Sequence, residues 1–217
     1  MMTVPFRLQA GILVAGCLFS TPGFAQSLQK PQVFIAATGG TIAGVQKSVE
    51  QHGYTAGELG VAALVEAVPQ LKDIADVRGE QVVNIPSQDM TDAVWLQLAR
   101  RLQELEQSPD VSGIVVTHGT DTLEETSFFV ELTVDTPKPI VFTGSMRPAT
   151  AISADGPMNL YNAVAVAGSP SAKSCGVLSV LNDQINAARN VYKTDTTRVD
   201  TFKSIDRGPV GTVDTGT

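Results

Sequence analysis

Short apolar segments alternate along the chain with longer segments whose apolar residues recur every three or four positions. This alternation is typical of an α/β domain with a mostly parallel sheet. The predicted strands are residues 33–37, 81–85, 113–117, 140–143 and 177–181, and the predicted helices are residues 58–68, 92–107, 122–132 and 159–167. Residues 44–57 are polar and contain glycine, so we expect a loop long enough to act as a lid. The tail from Lys203 shows no clear periodic element, and residues 211–217 offer no docking face.

The predicted helix after Thr91 has the clearest pattern. Thr91 suits an N-cap, and Val94, Leu98, Leu102 and Leu105 follow one another at offsets of four, four and three. These offsets place the four side chains on one face of a helix. Charged and polar residues occupy the other faces, so the sequence predicts an amphipathic helix here.

Four of the predicted strands run into turns rich in glycine, serine, threonine or aspartate. These turns are Thr38-Gly39-Gly40-Thr41, Pro86-Ser87-Gln88-Asp89, Thr117-His118-Gly119-Thr120-Asp121 and Gly144-Ser145-Met146-Arg147-Pro148. If the strands are parallel, the four turns share the carboxyl edge of the sheet, where open α/β sheets bind ligands. Glycine also lets the backbone approach a ligand and aim N–H groups at it. The sequence therefore predicts a ligand site at this edge.

Two of these turns carry a threonine beside glycine, Thr41 and Thr120, which suits a nucleophile with an oxyanion site. A threonine hydroxyl is a poor nucleophile at neutral pH and needs a base. Tyr54 and Lys193 are the candidate bases, and each would need activation because phenol and ammonium groups ordinarily have pKa values of about 10. Asp121 could balance a Lys193 ammonium or hold a cationic group of a substrate.

Each candidate taken alone also has a structural interpretation. Threonine is a common turn residue, an aspartate such as Asp121 can cap a helix, and a lone lysine such as Lys193 is usually a solvated charge. Tyr54 could pack against the sheet edge, and Ser87 could start a helix. His118, which has no visible acid partner, is interpreted as structural. Only the joint occurrence at one sheet edge favours a functional site.

Several other classes of site do not fit the sequence. The spacings of His52, His118 and Cys175 match no zinc or iron motif, so no metal or cofactor is predicted. A Gly-x-Ser-x-Gly elbow does not occur, which disfavours a serine hydrolase of the α/β type. In the first turn Thr41 occupies the position where a dinucleotide fingerprint needs its middle glycine. The chain has 22 Asp and Glu against 15 Lys and Arg and no basic stripe, so nucleic acid is not an expected partner.

The first 25 residues resemble an export signal. Arg7 is their only charged residue, residues 8–19 are apolar, and residues 23–25 offer a site for signal-peptidase cleavage before Gln26. Residues 14–17 also resemble a lipobox, so lipidation of Cys17 is the alternative. Both readings predict export to the periplasm or beyond. Removing 25 of the 217 residues leaves 192, enough for one buried domain over residues 26–217, in which Cys175 has no intrachain disulfide partner.

Several long motifs resemble those of the bacterial type II L-asparaginases and the related glutaminase-asparaginases. The motifs are residues 37–44, 117–126, 144–148, 153–157 and 159–163, and the resemblance runs collinearly from about residue 32 to the end. The resemblance implies a three-layer α/β domain with a flavodoxin-like sheet and a small amino-acid amide as the substrate. It implies that asparagine is hydrolysed to aspartate and ammonia through an acyl-enzyme, without a metal or cofactor.

The same resemblance implies roles for individual residues. Thr41 would be the nucleophile with Tyr54 nearby, and Thr120 would act with Lys193 and Asp121.

Ser87, Gln88 and Asp121 would hold the α-carboxylate and α-amino groups of the substrate, and Ser145 stands where a backbone carbonyl orients the amide. Gln88 follows the pattern of asparagine-preferring members, whereas many glutaminase-asparaginases have glutamate there. We therefore expect a preference for asparagine, with glutamine as a further substrate left open.

The chain differs from the family in length. Family members continue into a second, smaller α/β domain that supplies a glutamate to the neighbouring subunit, in a homotetramer built from two such dimers. This chain stops at Thr217, near the end of the first domain, so we expect an incomplete site. Three possibilities stay open: a truncated asparaginase with or without activity, a module that binds aspartate or asparagine without turnover, and an inactive remnant that does not assemble.

Overall fold

The computed structural model describes residues 29–44 and 60–214. The strands are β1 Gln32–Gly39, β2 Asp76–Ile85, β3 Gly113–Thr117, β4 Ile140–Thr143, β5 Val177–Leu181, β6 Gln184–Ala187, β7 Tyr192–Lys193, β8 Phe202–Lys203 and β9 Gly211–Thr212. The helices are α1 Val61–Glu66, α2 Leu71–Ile74, α3 Asp92–Gln107, α4 Leu123–Thr133 and α5 Gly156–Gly168, with short 3-10 turns at Thr41–Ala43, Ser87–Asp89 and Pro170–Ala172.

The main sheet has seven strands in the order β2-β1-β3-β4-β5-β6-β9. The first five are parallel, and β6 and β9 join antiparallel at one edge. The order 2-1-3-4-5 is that of flavodoxin-like sheets, which bind ligands at the topological switch point between β1 and β3, where the order of the strands reverses. The α/β class and the mostly parallel, flavodoxin-like sheet predicted from the sequence are confirmed.

Helices cover both faces of the sheet because successive strand residues point to opposite sides. Val115 of β3 packs with residues of α1, α2 and α5, whereas its neighbours Ile114 and Val116 pack with residues of α3 and α4. All three are fully buried. The domain therefore has three layers, as expected, and its central strands are apolar throughout.

The predicted α3 is confirmed in its limits and in its cap. It runs over Asp92–Gln107, and the side chain of Thr91 accepts a hydrogen bond from the Val94 backbone N–H at 3.4 Å. Leu98, Leu102 and Leu105 are buried. The cap and the spacing of the apolar residues together determine where this helix begins and which face it buries.

Other limits differ from the sequence-based expectations. The strand predicted at 81–85 begins at Asp76, and the helix predicted from residue 159 begins at Gly156, with a proline in its first turn as helix starts favour. The first predicted helix covers only Val61–Glu66 of the described residues.

The prediction that residues 211–217 offer no docking face was wrong for Gly211 and Thr212. Gly211 and Thr212 form β9, which pairs with Ile185 and Gln184 of β6, and the N–H of Val210 donates to the Ile185 carbonyl at 2.7 Å. A two-residue strand is too short to produce a periodic pattern. The turn of the β5–β6 hairpin consists of Asn182 and Asp183, whose φ values of 48° and 61° are those that a type I′ turn requires. Asparagine and aspartate are typical residues of such turns, so this pair is the sequence signal for the hairpin.

Candidate active site

The turns that follow β1 and β3 touch each other at the switch point through two glycines. A Cβ on Gly40, whose φ is 82°, would lie 2.4 Å from the backbone N and Cα of Gly119. The hydroxyl of Thr38 donates to the Thr117 carbonyl at 2.9 Å and ties the two strand ends together. Only glycine at position 40 permits this approach. The contact brings the segments carrying Thr41 and Thr120 to the same edge of the sheet.

Lys193 joins the second threonine and its neighbouring carboxylate in one cluster. Lys193 Nζ donates to Thr120 Oγ1 at 3.0 Å and forms an ion pair with Asp121. The Lys193 side chain is 12% exposed, whereas the Asp121 side chain is 45% exposed. Gln88 Nε2 donates to the second oxygen of the Asp121 carboxylate. A mostly buried ammonium therefore faces a threonine hydroxyl on one side and a half-exposed carboxylate on the other.

The turn after β2 packs directly on the turn after β3. Ser87 is buried, and a Cβ on Gly119 would lie 2.6 Å from Ser87 Oγ. The hydroxyl of Thr122 donates to the Ser87 carbonyl at 2.9 Å. This contact holds Ser87 and Gln88 beside Asp121, so three of the four predicted turns form one surface.

The fourth turn, after β4, is held by a carboxylate from the start of α5. Asp155 accepts hydrogen bonds from the backbone N–H groups of Met146 at 2.9 Å and Arg147 at 3.0 Å. Asn159 Nδ2 donates to the Gly144 carbonyl at 3.0 Å. Ser145 between these points is fully buried, and its hydroxyl donates to the Arg147 carbonyl at 2.7 Å. The backbone at Ser145 is therefore rigidly placed.

His118 directly follows β3, and its backbone N–H donates to the Thr143 carbonyl at 2.9 Å. Its ring is fully buried near Phe142, and Nδ1 donates to the Gly119 carbonyl at 2.7 Å. Burial lowers the pKa of His118 to about 4, so the ring is neutral at physiological pH. These features agree with the structural interpretation of this residue.

A family model described as asparaginase, N-terminal, matches residues 32–217. The chain belongs to the asparaginase family. The L-asparaginase 2 of Bacillus subtilis (strain 168) is 56% identical to it over 195 residues, which cover 89% of this chain and 52% of that protein. The glutaminase-asparaginase of Pseudomonas fluorescens biotype A is 53% identical over 182 residues, which cover 83% and 50% respectively.

The fold of this asparaginase-family chain also matches a solved structure. The crystal structure of a probable cytoplasmic L-asparaginase from Campylobacter jejuni aligns with a TM-score of 0.84 and 48% identity, covering 87% of this chain and 57% of that one. The chain thus spans about half the length of the curated relatives it matches.

The names of related proteins differ in cellular compartment. One relative, from Haemophilus influenzae, is named a probable periplasmic L-asparaginase and is 51% identical over 187 residues, whereas the solved structure is named cytoplasmic. Within residues 29–44 and 60–214, no helix is both long and apolar enough to cross a membrane. The predicted export signal and Cys17 lie outside the described residues of this asparaginase-family chain.

Most residues predicted for the site of this asparaginase-family chain lie on described turns, and Tyr54 lies outside them. Thr120, Asp121, Lys193 and Gln88 make direct contacts with one another.

Sequence reasoning missed the supporting residues, namely Thr122, Asp155 and Asn159. All three fall within the quoted motifs, but the hydrogen bonds that they make to other turns leave no trace in the spacing of residues.

Proposed function

We propose that this chain is the catalytic, N-terminal part of an L-asparaginase that hydrolyses L-asparagine to L-aspartate and ammonia. The proposal rests on the cluster of Lys193, Thr120 and Asp121 at the switch point, because a mostly buried ammonium bonded to a threonine hydroxyl suits amide chemistry. Membership of the asparaginase family supports the same reaction class.

In the first step, the hydroxyl oxygen of Thr41 attacks the side-chain amide carbon of asparagine. Backbone N–H groups of the glycine-rich turns stabilise the negative charge that develops on the amide oxygen. Tyr54 is the proposed partner of Thr41, and in its phenolate form it accepts the Thr41 proton. The C–N bond then breaks, the nitrogen leaves as ammonia, and an ester remains on Thr41. Water hydrolyses this ester to release aspartate.

The hydrogen bond from Lys193 gives Thr120 a definite role in this scheme. Because Lys193 Nζ donates to Thr120 Oγ1, the threonine oxygen acts as the acceptor and its own proton remains available for donation. That proton suits the departing amide nitrogen. During hydrolysis of the ester, the attacking water returns a proton to Thr120, and the Tyr54 phenol returns one to the oxygen of Thr41 as it leaves. The Asp121 carboxylate, at the other side of Lys193, compensates the charge of the ammonium.

The half-exposed carboxylate of Asp121 is also the proposed partner of the α-ammonium of the substrate. Ser87 and Gln88, packed beside it, are proposed to contact the α-carboxylate. We retain the expectation that asparagine is preferred over glutamine because position 88 is Gln. The match to a glutaminase-asparaginase keeps glutamine as a substrate to be measured.

Ammonia release from L-asparagine tests the proposal, with the mature chain and its Thr41→Ala and Thr41→Ser variants. We expect Thr41→Ala to lose turnover by several orders of magnitude, while Thr41→Ser, which keeps a hydroxyl, retains part of it. Equal rates for the wild type and Thr41→Ala would contradict the role of Thr41. Calorimetry with aspartate runs in parallel, because tight binding without ammonia release would identify a binding module instead.

A further inference from the structure

Lys193 stands on a strand that is separate from the seven-stranded sheet. Strand β7 pairs with β8 through Tyr192–Lys203 and Lys193–Phe202, and each strand has only two residues. Two-stranded ribbons are only marginally stable by themselves. The buried ring of Phe202 anchors one side of this ribbon in the core. The place of the Lys193 ammonium depends on what holds the other side.

On that side Val191, which precedes β7, is buried in the core, and the carboxylate of Glu124 provides a polar anchor at Lys193 itself. Glu124 Oε2 accepts the backbone N–H of Lys193. Glu124 lies in the first turn of α4, only three and four residues after Asp121 and Thr120. One side chain therefore ties the strand that carries the lysine to the segment that carries its two partners.

The surroundings of Glu124 distinguish it from an ordinary acidic residue at a helix start. Glu124 is partly buried, and this burial raises the pKa of its carboxyl, while the hydrogen bond from Lys193 opposes the rise. Glu125, the next residue in the same helical turn, is exposed. An exposed acidic residue already stabilises a helix N-terminus, so the stability of α4 does not require that Glu124 be buried.

We propose that Glu124 is a positioning residue for Lys193, which it holds so that Nζ stays within hydrogen-bonding distance of Thr120 Oγ1. Glu124 acts through the backbone of Lys193 and does not itself touch the substrate. The consequence for turnover rests on the proposed function, whereas the anchoring of the ribbon does not.

Glu124→Ala, Glu124→Gln and the control Glu125→Ala test the kinetic consequence. Small displacements of a catalytic group cost up to about a hundredfold in rate, so we expect Glu124→Ala to lower kcat roughly ten- to a hundredfold with a smaller change in KM. Glu124→Gln keeps an oxygen that can accept the Lys193 N–H and should recover most of the rate. Glu125→Ala should match the wild type.

Hydrogen exchange of the segment 190–204, followed by mass spectrometry, tests the anchor without any need for turnover. We expect faster exchange in Glu124→Ala and protection like that of the wild type in Glu124→Gln and Glu125→Ala. If Glu124→Ala unfolds, the glutamine variant decides: intact protection supports the anchor and lost protection overturns it.

Unchanged protection in a folded Glu124→Ala protein, or equal losses in Glu124→Ala and Glu125→Ala, would overturn the proposal. A wild-type chain that releases no ammonia contradicts the proposed function, and the exchange measurement still decides on Glu124. With an active wild type, an unchanged kcat in Glu124→Ala would overturn the positioning role.

Discussion

At the scale of single residues, the site depends on a contact between two glycines and on one lysine that is paired with a carboxylate. Gly40 lies against Gly119, and Lys193 lies between Thr120 and Asp121. The sequence predicted the turns and, through family motifs, the grouping of Lys193 with Thr120. The contact between two glycines could not be predicted, because it depends on the relative placement of β1 and β3 rather than on local pattern.

Gly40→Ala should destabilise the protein and impair the site more than Gly208→Ala does. Both glycines have positive φ, 82° and 73°, so each substitution incurs a backbone cost of about 1–2 kcal/mol. Only the Cβ at position 40 would clash with backbone, since nothing lies within 4 Å at position 208. Urea unfolding of both variants separates the two effects, and equal losses of stability would contradict a tight contact at Gly40.

At the scale of elements, the periodic pattern of apolar residues is clear in the long helices and strands and absent from the shortest strands. The long helix α3 and the apolar strands were predictable because they repeat a period several times. Strands β7, β8 and β9 have two residues each and carry no period, so their pairing is decided by tertiary contacts. The same is true of the supports of the site, which reach between elements distant in the sequence.

Asp155 shows such a support between α5 and the turn after β4. Asp155→Ala removes the acceptor for the N–H groups of Met146 and Arg147, and we expect a loss of about 2–4 kcal/mol in the free energy of unfolding. Asp155→Asn retains one carbonyl oxygen, so its free energy of unfolding should lie between those of the wild type and Asp155→Ala. Chemical denaturation measures the series.

Asp195→Ala is the matched control for Asp155. Asp195 also accepts two backbone N–H groups, from Thr197 at 2.7 Å and Arg198 at 2.9 Å, but in an exposed loop. Its removal should cost less stability and leave ammonia release unchanged. A loss of stability as large as that of Asp155→Ala would show that the number of hydrogen bonds accepted matters more than the position of the carboxylate beneath the turn.

Glu106, in the last turn of α3, makes stability depend on pH. Burial raises the pKa of Glu106 to about 7, against the opposing hydrogen bond from the Lys138 N–H at 3.2 Å, and the nearby Asp135 adds to the rise. A carboxyl whose pKa is higher in the folded state than in the unfolded state stabilises the fold at low pH. Its contribution is complete below about pH 4.5 and is lost as the pH rises through 7.

Relative to Glu106→Gln, the wild type should therefore lose on the order of 2 kcal/mol of stability between pH 4.5 and 8. Thermal or urea unfolding across this range measures the difference. Glu66→Gln, at an exposed position of α1, serves as the control. A flat difference for Glu106→Gln would mean that the carboxyl is ionised in the folded protein throughout this range.

At the scale of the whole molecule, the described residues form one three-layer domain that spans about half the length of its curated relatives. The sequence predicted the class of this domain and the meeting of polar turns at one edge of its sheet. Export of the chain stays a prediction, resting on the composition of residues 1–25.

Intact-mass measurement of the protein recovered from the periplasm of a bacterial host tests the export signal. We expect a chain that begins at Gln26, and Cys17→Ser should leave both mass and yield unchanged. A lipid adduct on Cys17, abolished by Cys17→Ser, would instead establish the lipoprotein alternative. Retention of residues 1–25 in the host cytoplasm would contradict export.

The meeting of Gly40 with Gly119 also limits how this enzyme family member can be altered. Because two backbones are already in contact there, no side chain is available through which the spacing between the segment of Thr41, the proposed nucleophile, and the segment of Thr120 can be adjusted. Under the proposed function, changes that admit a longer amide substrate are therefore expected at the rim of the site, where Gln88 is exposed. Substitutions at the centre of the site would disrupt the contact between Gly40 and Gly119, whereas substitutions at the rim would not.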